Sequence, residues 1–195
     1  MATMAQDRLG GWQQAVQLYA TLAGGPPPPR VVAPDLPAGG VYMDVPFRFA
    51  RYFGTNAAYA PAGMFAVGSP GFVAGAVVGN AIGNTIGYAR AAAARRPQWR
   101  GHNLARVLVT DSATWCGLQG RWLRYYHDGV VSYQLTDQPA SIHGFTEIDP
   151  LRLFGPSAWC HAVLFAYLRD GASCWQNAPF LQPIRAAALQ LVTAR

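Results

Sequence analysis

Two adjacent pairs of side chains carry groups that could do acid–base or nucleophilic chemistry. His127 precedes Asp128, which is the pairing of a general base with an orienting carboxylate. Cys160 precedes His161, and these are the residue types of a thiol nucleophile and its base. Neighbouring residues in a hairpin usually point apart, and neighbouring residues in a helix do not face one another. We therefore predict a buried Cys160 and no catalytic residue, with an enzyme site near His127 and Asp128 only as the second alternative.

Motifs for metals and cofactors do not occur in the sequence. His102, His143 and His161 lack metal-binding spacing, and the three cysteines are an odd number without paired spacing. No phosphate loop, dinucleotide fingerprint or Gly-x-Ser-x-Gly motif is present either. We predict no metal site and no cofactor, and free thiols that fit a reducing cytosol.

The basic residues are all arginine, and several of them are concentrated in one segment. Fifteen arginines against nine acidic residues give a net charge of +6, which favours anionic partners. The concentrated ones are Arg90, Arg95, Arg96, Arg100 and Arg106. Tyr88, Trp99 and His102 lie among them, so the segment has groups that contact phosphates and rings that stack on bases. We predict an anion-binding cluster, with anionic lipid as a partner and nucleic acid as the first alternative.

Glycines at four-residue intervals precede this cluster and form what we name the glycine ladder. They are Gly71, Gly75, Gly79, Gly83 and Gly87. Residues four apart form one ridge of a helix, so the ladder would present a bare groove to a closely packed second helix. Asn80 and Asn84 lie beside it, in position to hydrogen-bond across the seam. The ladder therefore predicts helix packing, through self-association or with a protein partner, or contact with a membrane.

The ladder belongs to a run that has no charged residue between Arg51 and Arg90. A helix from Gly71 to Ala89 would be about 28 Å long, close to the roughly 30 Å of a bilayer core. Tyr88 and the arginines after it also resemble the cytoplasmic end of a membrane segment. Three alternatives stay open: a packed helix in a soluble fold, a helix that contacts or enters a membrane, and an irregular glycine loop. We expect a cytoplasmic protein, either free or held peripherally or by insertion at the inner face of the plasma membrane.

The first 25 residues predict an amphipathic helix and do not have the pattern of a signal peptide. Leu9, Trp12, Val16 and Tyr19 recur at three- and four-residue intervals with polar residues between them. The helix is expected to stop at Gly24–Gly25. A run of prolines follows and forms a semi-rigid spacer that cannot continue the helix.

Beyond the spacer, the sequence predicts a strand. Val45, Phe47 and Phe49 alternate with less apolar residues, which gives the strand one apolar face. Pro46 cannot donate a hydrogen bond to a neighbouring strand, so we expect this strand at a sheet edge or with a bulge.

The rest of the chain predicts short strands followed by a helix. Apolar residues recur with a period of two in segments separated by turns such as Asp111–Ser112 and Gln119–Gly120, which is typical of an antiparallel meander. Ser157 is the predicted N-cap of a mostly apolar helix that ends at Gly171. Residues 172–195 then form a second, helix-like tail.

Three segments resemble the small PH-like or GRAM-like domains of uncharacterised actinobacterial proteins. They read RVLVTDSATWCGL, GRWLRYYHDGVVSY and LRLFGPSAWCHAVLFAYL, and the ladder leading to PQWR is similar as well. The resemblance covers Val41 to Gly171 and implies an α+β fold, an antiparallel sheet or barrel closed by a C-terminal helix. GRAM-like sequences commonly carry an arginine soon after the threonine that matches Thr110, and the turn Thr110–Ala113 has none. No lipid headgroup site is therefore carried over.

These observations together predict an organisation and a class of function. The expected parts are an N-terminal helix at 1–25, a linker at 26–39, a PH-like domain at 40–171 with a glycine-rich helical insertion at 54–103, and a tail at 172–195. A superfold does not determine function, but the resemblance implies binding and not catalysis. We predict a non-enzymatic interaction or scaffolding module that acts at the cytoplasmic face of a membrane through its glycine ladder.

Overall fold

The computed structural model describes residues 4–25, 28, 30, 40–55, 85–171 and 174–193. The chain divides into two compact units, one of Met1–Arg51 with Arg100–Arg195 and the other of Tyr52–Trp99. The first unit holds most of the sheet and three helices. The predicted limits of the insertion, 54–103, stay a prediction.

Seven strands form one antiparallel sheet in the order β4-β3-β2-β1-β7-β6-β5. The strands are β1 (Val41–Phe53), β2 (Gln98–Thr110), β3 (Ala113–Leu118), β4 (Arg121–Tyr126), β5 (Val130–Thr136), β6 (Ala140–Phe145) and β7 (Leu151–Phe154). Two meanders therefore meet where β1 pairs with β7. The predicted α+β class and antiparallel sheet are confirmed.

Of the predicted sheet or barrel, the structure has the open sheet, because β4 and β5 are its two edges. They follow one another in the chain but do not pair. The short link between them is a tight turn. In it, the His127 amide donates to the Ser112 carbonyl and the Val130 amide donates to the His127 carbonyl. This turn directs β5 towards β6 and leaves the seam open.

Four helices accompany the sheet, including one at each end of the described chain. They are α1 (Met4–Gly24), α2 (residues 85–95), α3 (Ala158–Asp170) and α4 (Gln182–Thr193), with short 3₁₀ turns at Trp175–Asn177 and Pro179–Leu181. The predicted N-terminal helix is confirmed, and its buried face includes Val16, Tyr19 and Leu22. Leu9 does not belong to that face and is 58% exposed. The packed part of α1 begins only near Gly11, which lies against Pro156.

Helix α3 packs on the inner face of the sheet. Helix α1 packs against both α3 and α4. Inward-pointing Phe47 and Phe49 of β1 form one part of the core with Leu151 and Leu153 of β7. The sheet is strongly curled, because the rings of Tyr125 on β4 and Phe145 on β6 are 5.7 Å apart although their strands are not neighbours. Burial of these apolar residues between sheet and helix stabilises the unit.

Two predicted details of these elements need correction. The strand that carries Pro46 is central and not an edge, because β1 lies between β2 and β7. β7 ends at Phe154, opposite Arg48, so Pro46 faces no paired residue of β7. Ser157 does precede α3, but its side chain makes no capping hydrogen bond. The predicted end of α3 is confirmed, with the Gly171 amide 3.2 Å from the Tyr167 carbonyl oxygen.

The second unit, Tyr52–Trp99, contains helix α2. The backbone amide and the hydroxyl of Thr55 both donate to the Ala94 carbonyl, at 3.0 Å each, near the end of this helix. Gly87 lies within α2 and is half-buried. The other members of the predicted ladder and its flanking asparagines fall outside the described residues: Gly71, Gly75, Gly79, Gly83, Asn80 and Asn84. Among the helical segments that are described, none combines the length and the apolar character needed to span a membrane.

Candidate ligand-binding groove

The outer face of the sheet, which points away from α3, carries two arginines on neighbouring strands. Arg48 stands between the buried Phe47 and Phe49 of β1, and Arg152 stands between the buried Leu151 and Leu153 of β7. Successive strand residues point to opposite faces, so both arginines point outward. The register pairs Arg48 with Phe154 and Ala50 with Arg152, which makes the arginines diagonal neighbours.

Both arginines line one pocket of about 220 Å³, which we name the arginine pocket. Its lining residues are Arg48, Ala50, His102, Gln138, Arg152 and Phe154. None of them is acidic. Arg48 makes no ion pair with any residue that the structure describes. Both guanidinium groups bring positive charge to this space.

A larger and mostly apolar groove of about 640 Å³ continues from the arginine pocket. It is lined by Asp7, Arg8, Pro46, Phe47, Arg48, Leu104, Gln138, Pro139, Phe154, Gly155 and Pro156. Arg48, Gln138 and Phe154 line both spaces and so join them. Leu104 of β2 is 74% exposed, the most exposed of the large apolar side chains described. We name the two spaces together the binding groove.

Ordered elements hold the walls of the binding groove. One wall is the start of α1, where the guanidinium of Arg8 donates to the Asp137 backbone carbonyl at 2.9 Å. The adjoining wall is the turn between β5 and β6, which contributes Gln138 and the buried Pro139. The floor comes from β1, β2 and the end of β7. The strands therefore supply a floor that is in place before a ligand binds.

The predicted anion-binding residues lie in different parts of the structure. Arg90, Arg95 and Arg96 belong to the second unit, and Arg100 and Arg106 belong to the first. Their grouping into one cluster stays a prediction. Arg106 already has a counter-ion, since its Nε and Nη2 donate to Asp44 at 2.9 and 2.7 Å. These hydrogen bonds lower the pKa of the Asp44 carboxyl.

His127, His143 and His161 meet under α3 in a buried polar cluster. Nε2 of His127 and Nε2 of His161 lie 3.2 and 3.3 Å from the Thr114 hydroxyl. The Tyr133 hydroxyl is 3.3 Å from Nδ1 of His161, and the His143 ring is 5.1 Å from the His161 ring. We name these five residues the histidine cluster. Sequence reasoning missed this cluster because its members come from β3, the turn after β4, β5, β6 and α3, which are far apart in the chain.

Burial keeps the histidine cluster uncharged. Loss of solvation lowers the pKa of His127 to about 4 and that of His161 to about 3. Burial also lowers the pKa of His143 well below its usual value, and the nearby His161 and His127 add to the effect. The imidazoles are therefore neutral at physiological pH and serve as hydrogen-bonding groups of the core.

Of the sequence-predicted catalytic candidates, His127 and His161 share the Thr114 hydroxyl, whereas His127 and Asp128 lie in different environments. His127 is 3% exposed, whereas Asp128 is exposed and lines a different cavity beside Glu147. Cys160 is buried, as predicted, with Sγ 3.8 Å from the Gly11 carbonyl oxygen, and burial raises its pKa to about 11. Within the described part of the chain, no three His, Cys, Asp or Glu residues are grouped so that they could hold a metal ion.

Sequence reasoning missed the arginines of the binding groove, although a local signal for each was present. The letters FRF at 47–49 and LRL at 151–153 place an arginine between two apolar residues, which in a strand predicts an outward arginine. What the sequence did not show is that the two strands pair. No family model matches the chain, and comparisons with curated proteins and with solved structures give no match.

Proposed function

We propose that this protein is a non-enzymatic interaction module with a PH-like unit, and that it binds its ligand in the binding groove. The sheet supports the PH-like part, because strands followed by a single helix that packs on them are what the sequence resemblance implies. In this chain β7 leads directly into α3, which covers the inner face of the sheet. The outer face is then the surface available for recognition.

One observation carries the proposal: an apolar groove of about 640 Å³ is continuous with a pocket that holds two arginines. Ligand sites in proteins are concave spaces of roughly 300–1,000 Å³, mainly apolar, with a few polar groups that fix orientation. The binding groove has this size and this composition. Leu104 at its rim is an exposed apolar side chain with no evident role in the fold of the described residues.

Three of the charged or titratable side chains of the binding groove are the arginines Arg8, Arg48 and Arg152, and the others are His102 and Asp7. Guanidinium groups do not act as general acids or bases. They can orient and neutralise an anion. His127 and Asp128, the pair that would argue for an enzyme, do not line this groove.

A fluorescence titration tests whether the binding groove is the ligand site. N-phenyl-1-naphthylamine is uncharged and gains fluorescence in an apolar environment. We expect it to bind the full chain, and we expect Leu104→Asp to weaken binding roughly tenfold because a carboxylate would lie against the apolar probe. The matched control is Leu191→Asp, which alters an exposed leucine of α4. Equal affinities of the two variants for the probe would refute the proposal, provided that circular dichroism shows that both variants are folded.

The membrane part of the predicted function is independent of this test. Most of the glycine ladder lies outside the described residues. Helix packing or membrane contact through the ladder therefore stays a prediction, and the proposed ligand site depends only on the unit that contains the sheet.

A further inference from the structure

We infer that the outer edge of β5 takes an extended peptide of a partner protein, which adds a strand to the sheet and places a basic side chain beside Asp128 and Glu147. In strand addition, backbone hydrogen bonds supply affinity and side-chain pockets supply specificity. The cavity beside this edge shares no lining residue with the binding groove. The edge of β5 is therefore a second site, which goes beyond the proposed function.

The outer side of β5 has backbone groups without a strand partner in the described sheet. β6 is the one strand that pairs with β5. In an antiparallel pair, every second residue points its N–H and C=O groups away from the neighbouring strand. Among the described residues, none hydrogen-bonds to the outward backbone groups of residues 132–136. An extended peptide can replace the water that satisfies these groups in the free protein.

The composition of β5 leaves this edge open to pairing. Residues 130–136 read VVSYQLT, without a charged residue or a proline. Edge strands are commonly protected by charged side chains, proline or bulges. β4, at the other edge, carries Arg121 and Arg124, whereas the irregularity in β5 is a bulge at its start, between Val130 and Ser132. Residues 132–136 therefore form a regular and uncharged edge.

A cavity of about 480 Å³ lies beside the start of β5. It is lined by Val131, the extra residue of the bulge, which is 66% exposed, and by Ile148. Asp128 and Glu147 line it as well, and neither makes an ion pair with a residue that the structure describes. A lysine or arginine of a partner could lay its apolar stem on Val131 and Ile148 and bring its charge to the two carboxylates.

Arg124 is the one basic residue among the described residues that line this cavity, and aromatic rings hold its guanidinium group. The guanidinium carbon is 4.3 Å from the ring centre of Tyr126 and 5.1 Å from that of Trp115. The two carboxylates outnumber this single positive charge. The cavity therefore favours a cation over an anion.

The negative cavity favours a partner protein over a segment of this chain. A second copy that paired through its own β5 would bring the sequence VVSYQLT, which has no basic residue. The run between Arg51 and Arg90 has no charged residue either. A peptide that carries a basic residue beyond an apolar, alternating stretch matches both the edge and the cavity. Its inward residues would be apolar because Tyr133 and Leu135 of β5 pack on the core.

The direction of β5 sets the end of the peptide that carries the basic residue. β5 begins just after Asp128 and runs away from it. Antiparallel addition continues the pattern of the sheet and brings the C-terminal end of the peptide to the cavity. The peptide VTVTVRR, with a fluorescent label on its N-terminus and an amidated C-terminus, is the corresponding probe.

Fluorescence anisotropy with the full chain measures the binding of this probe. VTVTVRR should bind at least about tenfold tighter than VTVTVEE. Unspecific attraction would give the opposite order, because the chain has a net charge of +6. N-methylation of one alternate set of peptide amides should weaken binding about tenfold or more, and methylation of the other set should leave it nearly unchanged. This alternation distinguishes an added strand, which donates to β5 from one side only.

Variants of the chain locate the bound peptide. Val131→Lys should weaken VTVTVRR roughly tenfold, because an ammonium group in the cavity repels its arginines. Glu147→Gln should weaken it several-fold and is the second variant if Val131→Lys fails to fold. The matched control is Asp137→Asn, which removes an exposed carboxylate at the other end of β5 and should leave the affinity unchanged.

Strand addition at β5 would be refuted if the full chain did not bind VTVTVRR, if it bound VTVTVEE equally well, or if both methylated sets bound alike. Unchanged affinity in Val131→Lys and Glu147→Gln would place the peptide elsewhere. A dimer of the free chain that Val131→Lys dissociates would assign the edge to a second copy. These results leave the proposed function untouched, because that depends on the response of N-phenyl-1-naphthylamine to Leu104→Asp.

Discussion

A single hydroxyl connects two of the buried histidines. The Thr114 oxygen lies within hydrogen-bonding distance of Nε2 of both His127 and His161, and Thr114 itself is buried. One hydroxyl has one proton to donate and can also accept, so it can satisfy one ring as donor and the other as acceptor. Removing it would leave two buried nitrogens without that partner.

Replacing Thr114 by valine should therefore cost about 1–3 kcal/mol of unfolding free energy, because the buried imidazoles lose their hydrogen bonds without regaining water. Thr114→Ser keeps the hydroxyl and loses only a methyl group, so it should cost about 1 kcal/mol or less. Urea unfolding of the two variants measures the difference. Equal midpoints would show that the hydroxyl does not support the histidine cluster.

At the scale of elements, the turns and helix ends that depend on a few neighbouring residues could be predicted from the sequence. The turn at Gln119–Gly120 was predicted from its residue types, and both residues have positive φ, 48° and 79°, as a tight hairpin turn requires. The end of α3 at Gly171 was predicted for a similar reason. These features depend on a few adjacent residues, so the pattern is visible in the sequence.

What the sequence did not reveal depends on contacts between distant segments. The pairing of β1 with β7 placed β1 in the centre of the sheet and contradicted the edge expected from Pro46. The same pairing brought Arg48 beside Arg152 and so created the arginine pocket. Alternation tells which face a residue occupies, but it does not tell which strand lies next to it.

The contact of α1 with the chain before α3 can be tested at two adjacent glycines. A Cβ on Gly11 would overlap the backbone carbonyl of Pro156, whereas a Cβ on Gly10 would have no neighbour within 4 Å. Gly11→Ala should lower the unfolding free energy by about 1–3 kcal/mol, because backbone cannot yield easily. Gly10→Ala should raise it by up to about 1 kcal/mol through helix propensity. Thermal or urea unfolding compares the two, and a stabilising Gly11→Ala would contradict the close approach.

At the scale of the whole described unit, the histidine cluster links both halves of an open sheet. Thr114 and His127 belong to the side of β3 and β4, and Tyr133 and His143 belong to β5 and β6. His161 of α3 contacts Thr114 and Tyr133 and so joins the two sides. Because β4 and β5 do not pair, α3 and this cluster hold together what a closed barrel would hold by strand pairing.

Acid should therefore destabilise the unit that contains the sheet. The pKa values of His127, His143 and His161 are lowered in the folded state from 6.5, so the unfolded chain binds more protons below that pH. The full stability of the fold with these histidines neutral is present above pH 6.5. It is lost as the pH falls towards about 4 for His127 and about 3 for His161. Each histidine should cost about 1.4 kcal/mol per pH unit within its window. Against a total stability of about 5–15 kcal/mol, this loss is large enough to unfold the domain in mild acid.

Urea unfolding followed between pH 7 and pH 4 measures this loss. The midpoint should fall steeply below pH 6.5 in the wild type. His127→Gln removes one of the three titrating groups, so its midpoint should fall less steeply over the same range. His102→Gln, at an exposed position of β2, is the control for the change of histidine to glutamine. A midpoint that stays constant from pH 7 to pH 5 in the wild type would mean that the buried rings are already charged, or that water reaches them, in the folded protein.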